Sequence, residues 1–316
     1  MTAVVGTILA GSAAYALVIT EGSTAPAAEP AATTTTAVPA PTDDVPVAGA
    51  DEGRPAVDTF TVQLWDANRD RPIASTLRIP VADDPVPLVV IAHGYAAAAA
   101  DYDALSEALA AAGFAVASPD FPLSSSAVTR TPTRDITAQA ADISFAIDQL
   151  LDPAGPVPGA ATRIDATRIA VLGHSDGGVT AAGVAFNETV ADPRIGAAVI
   201  LSGGAFGFPG AWFTDDTPAA LLVVHGTADE VNPFSSSQSL FDQATGTKMF
   251  VAVDGGTHVG PFTTDEAVAE VATLTADFLH ATLSSDSAAA SLLVGDAEAG
   301  PLTLVASASA SASASA

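Results

Sequence analysis

The feature that most constrains this chain is a Gly-x-Ser-x-Gly turn at residues 173–177, which stands between a strand pattern and a helix pattern. The preceding run, residues 168–172, is short, apolar and β-branched, and it predicts a buried parallel strand. Apolar residues then recur at the spacing of one helix face: Val179, Ala182, Gly183 and Phe186. A serine on so tight a turn is typical of an exposed nucleophile, which here is Ser175.

The rest of the chain alternates strand patterns with helix patterns. Apolar runs predict strands at residues 87–92, 114–117, 197–201, 219–224 and 249–253, after a hairpin at residues 59–65 and 74–79. Amphipathic patterns predict helices at residues 101–112, 136–151, 235–244 and 265–283. Because strands and helices that alternate form right-handed crossovers, we expect an α/β fold with a mainly parallel central sheet and helices on both faces.

Composition divides the chain into four segments. Residues 2–20 carry no charge, and we interpret residues 1–21 as a signal peptide or a membrane anchor. Residues 22–56 are rich in Ala, Pro and Thr and predict a disordered linker. The catalytic domain is expected at residues 57–284, followed by a low-complexity tail at residues 285–316. This organisation predicts a secreted or cell-surface protein, and we expect it to be a monomer.

The charge balance and the absence of cysteine exclude several classes of function. The 36 acidic residues outnumber the 10 basic ones, which gives a formal net charge of −26. Such a surface repels nucleic acid and anionic lipid headgroups, so we expect neither as a partner, apart from membrane contact through an N-terminal anchor. A chain without cysteine forms no disulfide, thiol nucleophile or zinc–thiolate site. We expect no metal and no cofactor.

A serine nucleophile needs a base that accepts its proton and an acid that orients the base. His258 is the predicted base because it follows the predicted strand 249–253 through a glycine-containing loop, at the strand end where such sheets place ligand-facing groups. Structural roles are predicted for the histidine inside the turn, His174, and for His93 and His225, each of which precedes a glycine at a strand end.

The orienting acid is expected between the serine and the histidine, since the chain order in such sites is Ser, then Asp or Glu, then His. Asp229 follows the predicted strand 219–224 and is the predicted acid. Glu230 and Asp254 are the alternatives.

Two backbone N–H groups should face the negative charge that develops on the substrate. One belongs to Asp176, which directly follows the nucleophile, and the other to Tyr95, which follows the first central strand. The Asp176 carboxylate would begin a helix, where it stabilises the dipole but opposes the developing charge, unless its side chain turns into solvent.

With these residues in place, the chain resembles the α/β-hydrolase superfamily over about residues 57–283. Within it, the chain is similar to bacterial cutinases and polyester (PET) hydrolases, and to dienelactone-hydrolase-like and chlorophyllase-like esterases. The resemblance rests on residues 93–97, 112–116 and 173–178, and on Asp229 and His258. It implies the α/β-hydrolase fold and a serine esterase.

The resemblance also implies the walls of a substrate cleft and shows two departures. Tyr95 would form one aromatic wall and Trp212 the other. Asp176 stands where the polyester hydrolases usually carry an apolar residue, which weakens the case for polymer substrates. The cysteine pair of the cutinase type is absent.

The sequence therefore predicts a serine-dependent carboxylic-ester hydrolase, with polyester among its candidate substrates. The segment between the strands at 197–201 and 219–224 is too short for a substantial helical lid, so we expect an open cleft. One alternative is a lipid-ester hydrolase of the chlorophyllase, acetylhydrolase or lipase kind. The alternative from another class is a non-catalytic surface binding protein on a hydrolase scaffold.

Overall fold

The computed structural model describes residues 54–130, 132–214, 219–264 and 267–309. Within these ranges, nine strands form one sheet in the order β1-β2-β4-β3-β5-β6-β7-β8-β9. The strands are β1 Val57–Asp66, β2 Arg71–Pro80, β3 Val86–Ala92, β4 Ala115–Asp120, β5 Ile164–His174, β6 Ile195–Leu201, β7 Ala220–Gly226, β8 Lys248–Val253 and β9 Leu302–Ala308. The six central strands of this order, from β4 to β8, pair in parallel. At the two sides of the sheet the pairing is antiparallel, for β1 and β2 on one side and for β9 on the other.

Helices cover both faces of this sheet. They are α1 Asp103–Ala111, α2 Ile136–Leu151, α3 Ala160–Arg163, α4 Asp176–Phe186, α5 Phe234–Gln243, α6 Gly260–Thr263, α7 Ala267–Leu283 and α8 Ser287–Asp296. A short 3₁₀ turn, Ala99–Tyr102, precedes α1. The predicted α/β class with a mainly parallel sheet is confirmed.

Strand β3 is apolar on every residue because both of its faces are buried. In β3, Leu88 and Val90 join the core under α2, α4 and α5, while Val89 and Ile91 join the core under α1, α6 and α7. Successive side chains of a strand point to opposite faces, so a strand covered on both sides favours apolar residues throughout. The carboxyl ends of these rigid strands carry the loops of the site.

The predicted low-complexity tail at residues 285–316 is wrong over most of its length. Residues 287–296 form α8, and β9 pairs antiparallel with β8 along its whole length. In β9 the more buried residues alternate with exposed ones, beginning with Leu302, which is 2% exposed. The Ala and Ser content of this region conceals that alternation.

The predicted signal peptide or anchor at residues 1–21 and nearly all of the linker at residues 22–56 lie outside the described residues. Within the described part of the chain, no helix is both long and apolar enough to cross a bilayer.

Candidate active site

Ser175 stands on a strained turn between β5 and α4. Its backbone has φ 56° and ψ −121°, a region that residues with a side chain rarely adopt. A Cβ at Gly173 would lie 2.1 Å from the Gly177 carbonyl oxygen, and a Cβ at Gly177 would lie 2.1 Å from the Ala92 carbonyl oxygen. Only glycine at both positions therefore lets α4 begin so close to β3 and β5.

The structure brings Ser175, His258 and Asp229 together in one hydrogen-bonded row. His258 Nε2 lies 2.9 Å from Ser175 Oγ, and His258 Nδ1 lies 2.8 Å from Asp229 Oδ2. A carboxylate oxygen only accepts hydrogen bonds, so Nδ1 carries the imidazole hydrogen and the lone pair of Nε2 faces the serine hydroxyl. The arrangement is that of a base ready to accept a proton.

The Asp229 carboxylate is buried, accepts three hydrogen bonds and has a second imidazole nitrogen beside it. Oδ1 accepts the backbone N–H groups of Val231 at 2.9 Å and Asn232 at 2.8 Å, while Oδ2 faces the imidazoles of His258 at 2.8 Å and His225 at 3.1 Å. Burial raises the pKa of Asp229, but the hydrogen bonds from His258, Asn232 and Val231 outweigh it and lower the pKa below its ordinary value. The group is therefore a carboxylate at neutral pH.

Neither alternative acid touches the imidazole of His258. Glu230 Oε2 accepts the backbone N–H of His258 at 3.3 Å, and Asp254 Oδ2 accepts the Thr303 hydroxyl at 3.3 Å. Glu230 thus holds the loop that carries the base, whereas Asp254 holds β9.

His174 is buried beneath the site and links two of its loops. Its Nε2–H donates to the His258 carbonyl oxygen at 2.7 Å, and its Nδ1 accepts the Tyr102 hydroxyl at 2.7 Å. Burial, with repulsion from His258, lowers the pKa of His174 to about 3, so the ring stays neutral. The Tyr102 oxygen also accepts the Gly94 N–H at 3.2 Å. Sequence reasoning missed Tyr102, because nothing in its local pattern distinguishes it from a core tyrosine.

His93 forms the loop contacts expected of it, and His280, for which the sequence indicates no partner, contacts the end of α1. His93 Nε2 accepts the Phe121 N–H at 3.0 Å, and its Nδ1–H donates to the Gly94 carbonyl oxygen at 2.8 Å. His280 donates to the Ala112 carbonyl oxygen at 2.9 Å.

Tyr95 follows the carboxyl end of β3, and Asp176 directly follows Ser175 as the first residue of α4. Among the described residues, neither N–H group donates a hydrogen bond to the protein. An open cleft of about 590 Å³ lies over Ser175; it is lined in part by Tyr95, Tyr102, Ser175, His258, Val259 and Thr263. Tyr95 is 45% exposed and is fixed by its hydroxyl, which donates to the Pro132 carbonyl oxygen at 2.9 Å.

The Asp176 side chain turns inward rather than into solvent. It is 6% exposed, and its Oδ2 lies 3.0 Å from Nε of Arg134, whose side chain is 70% exposed. Burial raises the pKa of Asp176, and the opposing charges of Arg134 and His258 offset this only in part. Sequence reasoning missed Arg134 because it lies in an irregular loop without a pattern.

The prediction that Trp212 forms a wall of the cleft is wrong. Trp212 forms a bridge with Asn187, which follows the carboxyl end of α4, and packs against Phe208 and Phe213. Since α4 has 11 residues and rises 1.5 Å per residue, this end lies about 16 Å from Ser175. The loop after β6 runs along α4 and carries the tryptophan away from the cleft.

In the described part of the chain, no group of three or more His, Asp or Glu side chains is arranged to hold a metal ion.

Fold and site together define a class of protein: the chain has the α/β-hydrolase fold, with a serine on the sharp turn after the central strand β5. A family model described as Chlorophyllase matches residues 48–201. The match covers about half of the chain, including Tyr95, Ser175 and Asp176, and ends with β6, before Asp229 and His258. It supports an ester hydrolase of the α/β type and confirms the predicted resemblance to chlorophyllase-like esterases. No curated protein matches the chain.

Proposed function

We propose that this protein is a secreted serine carboxylic-ester hydrolase that forms an acyl-enzyme on Ser175. One observation carries the proposal: a single imidazole, His258, lies 2.9 Å from the Ser175 hydroxyl and 2.8 Å from the Asp229 carboxylate. The family match supports ester chemistry.

In the first half of the reaction, Ser175 Oγ attacks the ester carbonyl carbon while His258 Nε2 takes the hydroxyl proton. The carbonyl oxygen becomes an oxyanion, to which the N–H groups of Tyr95 and Asp176 donate. Asp229 stabilises the imidazolium through its hydrogen bond to Nδ1. The intermediate then collapses, the bond to the alcohol oxygen breaks, and His258 returns its proton to the leaving alcohol.

In the second half, water replaces the alcohol. His258 removes a proton from the water as its oxygen attacks the acyl carbon, and a second oxyanion forms at the same two amides. Collapse breaks the bond to Ser175 Oγ, which regains the proton from His258. The products are one carboxylic acid and one alcohol, and the enzyme returns to its starting state.

The open cleft favours small soluble esters or the end of a polymer chain. The described part of the loop after β6, residues 202–214, contains no helix that could cover Ser175. Polyester remains a candidate substrate, although Trp212 does not supply the second aromatic wall. A lipid-ester hydrolase of the chlorophyllase kind is the second candidate, and the family match favours it.

Labelling and activity of one variant pair test the proposal. Ser175→Ala should lose labelling by a fluorophosphonate and lower kcat on p-nitrophenyl acetate by about 10⁴-fold or more. The control is Ser235→Ala, which changes an exposed serine of α5. Activity of Ser175→Ala within tenfold of the wild type, or an unlabelled wild type, would show that the protein is not a serine esterase.

The acid is tested separately. Asp229→Asn should lower kcat by about 10⁴-fold, because an amide favours the wrong imidazole tautomer. Glu230→Gln should retain most of the activity, since Glu230 contacts only the backbone of His258. An active Asp229→Asn variant together with an inactive Glu230→Gln variant would show that Glu230, not Asp229, orients His258.

Substrate class and export need their own measurements. A series of p-nitrophenyl esters of increasing chain length, together with chlorophyll and a polyester film, separates short-ester, lipid-ester and polymer hydrolysis. Export predicts that the full chain, expressed with its first 21 residues, appears outside the cell or on its surface, and that removal of these residues retains it inside.

A further inference from the structure

A second histidine contacts the carboxylate that orients the base. His225 is the penultimate residue of β7, and Asp229 follows four residues later in the loop at the strand end. The Nε2 atom of His225 lies 3.1 Å from Asp229 Oδ2, the same oxygen that His258 contacts at 2.8 Å. Both side chains are closed to solvent, with 0% and 1% exposure.

The neighbours of His225 determine which of its nitrogens carries the hydrogen. Nε2 forms a hydrogen bond with the Asn232 carbonyl oxygen at 3.2 Å and also lies 3.1 Å from Asp229 Oδ2. Both oxygens only accept, so Nε2 carries the hydrogen and shares it between them. Nδ1 lies 2.7 Å from the hydroxyl of the buried residue Ser237, whose hydrogen is shared with the more distant Gly203 carbonyl oxygen at 3.2 Å. Burial lowers the pKa of His225, so its ring is neutral and Nδ1 accepts the hydroxyl hydrogen.

We propose that His225 is a positioning residue that acts through Asp229: it fixes the carboxylate and limits how strongly Oδ2 stabilises protonated His258. This inference rests on the proposed function of Ser175 and His258. A donor to Oδ2 draws negative charge from the oxygen that faces His258 Nδ1. Removal of the donor leaves a more basic carboxylate, which should raise the pKa of His258.

The other titratable groups that face His258 lie on other elements, and one of them, His174, is also within the electrostatic reach of His225. The His174 ring lies 4.7 Å from that of His258, centroid to centroid. Glu230 accepts the His258 backbone N–H, and Asp176 with its partner Arg134 lies at the start of α4. Because burial lowers the pKa of both His174 and His225, both rings are neutral when His258 titrates, and a change in the titration of His258 is assigned to the contact at Asp229.

The test compares pH–rate profiles. His258 must be neutral to accept the serine proton, so activity rises with pH through its pKa. His225→Leu should move this limb upward by about 0.5–1 pH unit, and His225→Gln, whose side-chain N–H can replace Nε2–H, should return most of the shift. A loss of kcat at every pH with an unmoved limb, or a downward shift, would overturn the inference.

Two further variants distinguish a positioning role of His225 from a general loss of stability. His93→Leu also removes a buried histidine at a strand end, and it should lower stability without moving the limb. If His225→Leu does not fold, Ser237→Ala decides: loss of the donor to Nδ1 weakens His225 as a donor and should give a smaller upward shift. No shift in Ser237→Ala would then contradict the proposal.

Nuclear magnetic resonance distinguishes failure of this inference from failure of the proposed function. The His258 ring can be titrated in the full-length chain carrying Ser175→Ala, with and without His225→Leu, and no turnover is needed. A raised pKa of His258 would support the contact even in a protein without esterase activity. An unchanged pKa would overturn the inference even in an active esterase.

Discussion

Asp176 is the residue at which two electrostatic requirements of the site conflict. We propose that its N–H group donates to the oxyanion, and its buried carboxylate then adds negative charge near the same oxygen. Arg134 offsets that charge from one side only, at 3.0 Å. The result is a carboxyl group whose pKa is raised by burial.

Neutralising Asp176 should therefore stabilise the fold at neutral pH. A carboxyl group with a raised folded-state pKa contributes stability that is fully present below its unfolded pKa of about 3.9 and is lost as pH rises through the folded pKa. Asp176→Asn should raise the melting temperature at pH 8, and the gain should vanish near pH 4. Differential scanning fluorimetry across this range measures both.

The exposed acid Asp83 provides the control, because Asp83→Asn should change the melting temperature little at any pH. In activity assays, Asp176→Asn should also raise kcat/KM on an aromatic ester, since it removes charge beside the oxyanion. A stability gain that persists at pH 4 would contradict a raised pKa of Asp176 as its cause. Unchanged activity on the aromatic ester would contradict repulsion between the Asp176 carboxylate and the oxyanion.

At the scale of elements, β9 completes the sheet beside the strand whose loop carries His258. Leu302→Ala should destabilise the protein by about 2–5 kcal/mol, because it removes a fully packed side chain from the core. Val305→Ala, on the same strand but 41% exposed, should change stability by about 0.5 kcal/mol or less. Urea unfolding of the two variants checks this, and equal effects would mean that β9 does not belong to the stable core.

Elements with a strong local pattern were predictable, and those that depend on a distant partner were not. The apolar run of β3 and the periodicity of α2, Ile136–Leu151, are complete within a few residues, so the predicted bounds match within a residue. In β9, the Ala and Ser residues acquire a buried face only by pairing with β8. The path of Trp212 likewise depends on how a loop packs against α4.

The same distinction applies to the site. Ser175, Asp229 and His258 could be predicted because chain order and strand ends constrain them. His225 and Asp229 are four residues apart at one strand end, so the sequence places them near each other. It does not show that the two side chains point toward each other and form a contact. Tyr102 and Arg134 reach the site from other elements, and no spacing along the chain indicates either residue.

At the scale of the whole molecule, the net charge of −26 should make stability depend on salt. The arginines in ion pairs neutralise only a minority of the 36 acids, and the remainder repel one another over a screening length of about 30 Å at 0.01 M salt and about 3 Å at 1 M. The melting temperature at pH 8 should therefore rise with NaCl, by about 2–4 °C for each kcal/mol of repulsion removed.

Two comparisons separate screening from other effects of salt. Sucrose of matched osmolality should not reproduce the full rise, because it does not screen charge. Near the isoelectric point of about 4.1, the dependence on NaCl should disappear. A rise of equal size at both pH values would rule out self-repulsion as its cause.

The pairing of β9 also has a consequence for the order of events during synthesis. Asp254, in the loop that leads to His258, donates its N–H to the Pro301 carbonyl oxygen at 2.8 Å and accepts the Thr303 hydroxyl. Domains fold from the amino-terminal side as they are made. The turn of Ser175 can pack while the ribosome is still translating. The loop that carries His258 can form its contacts with residues 301 and 303 only after those residues have emerged from the ribosome. A nascent chain should thus carry its nucleophile without a fixed base, and hydrolysis should begin only once translation has passed that point.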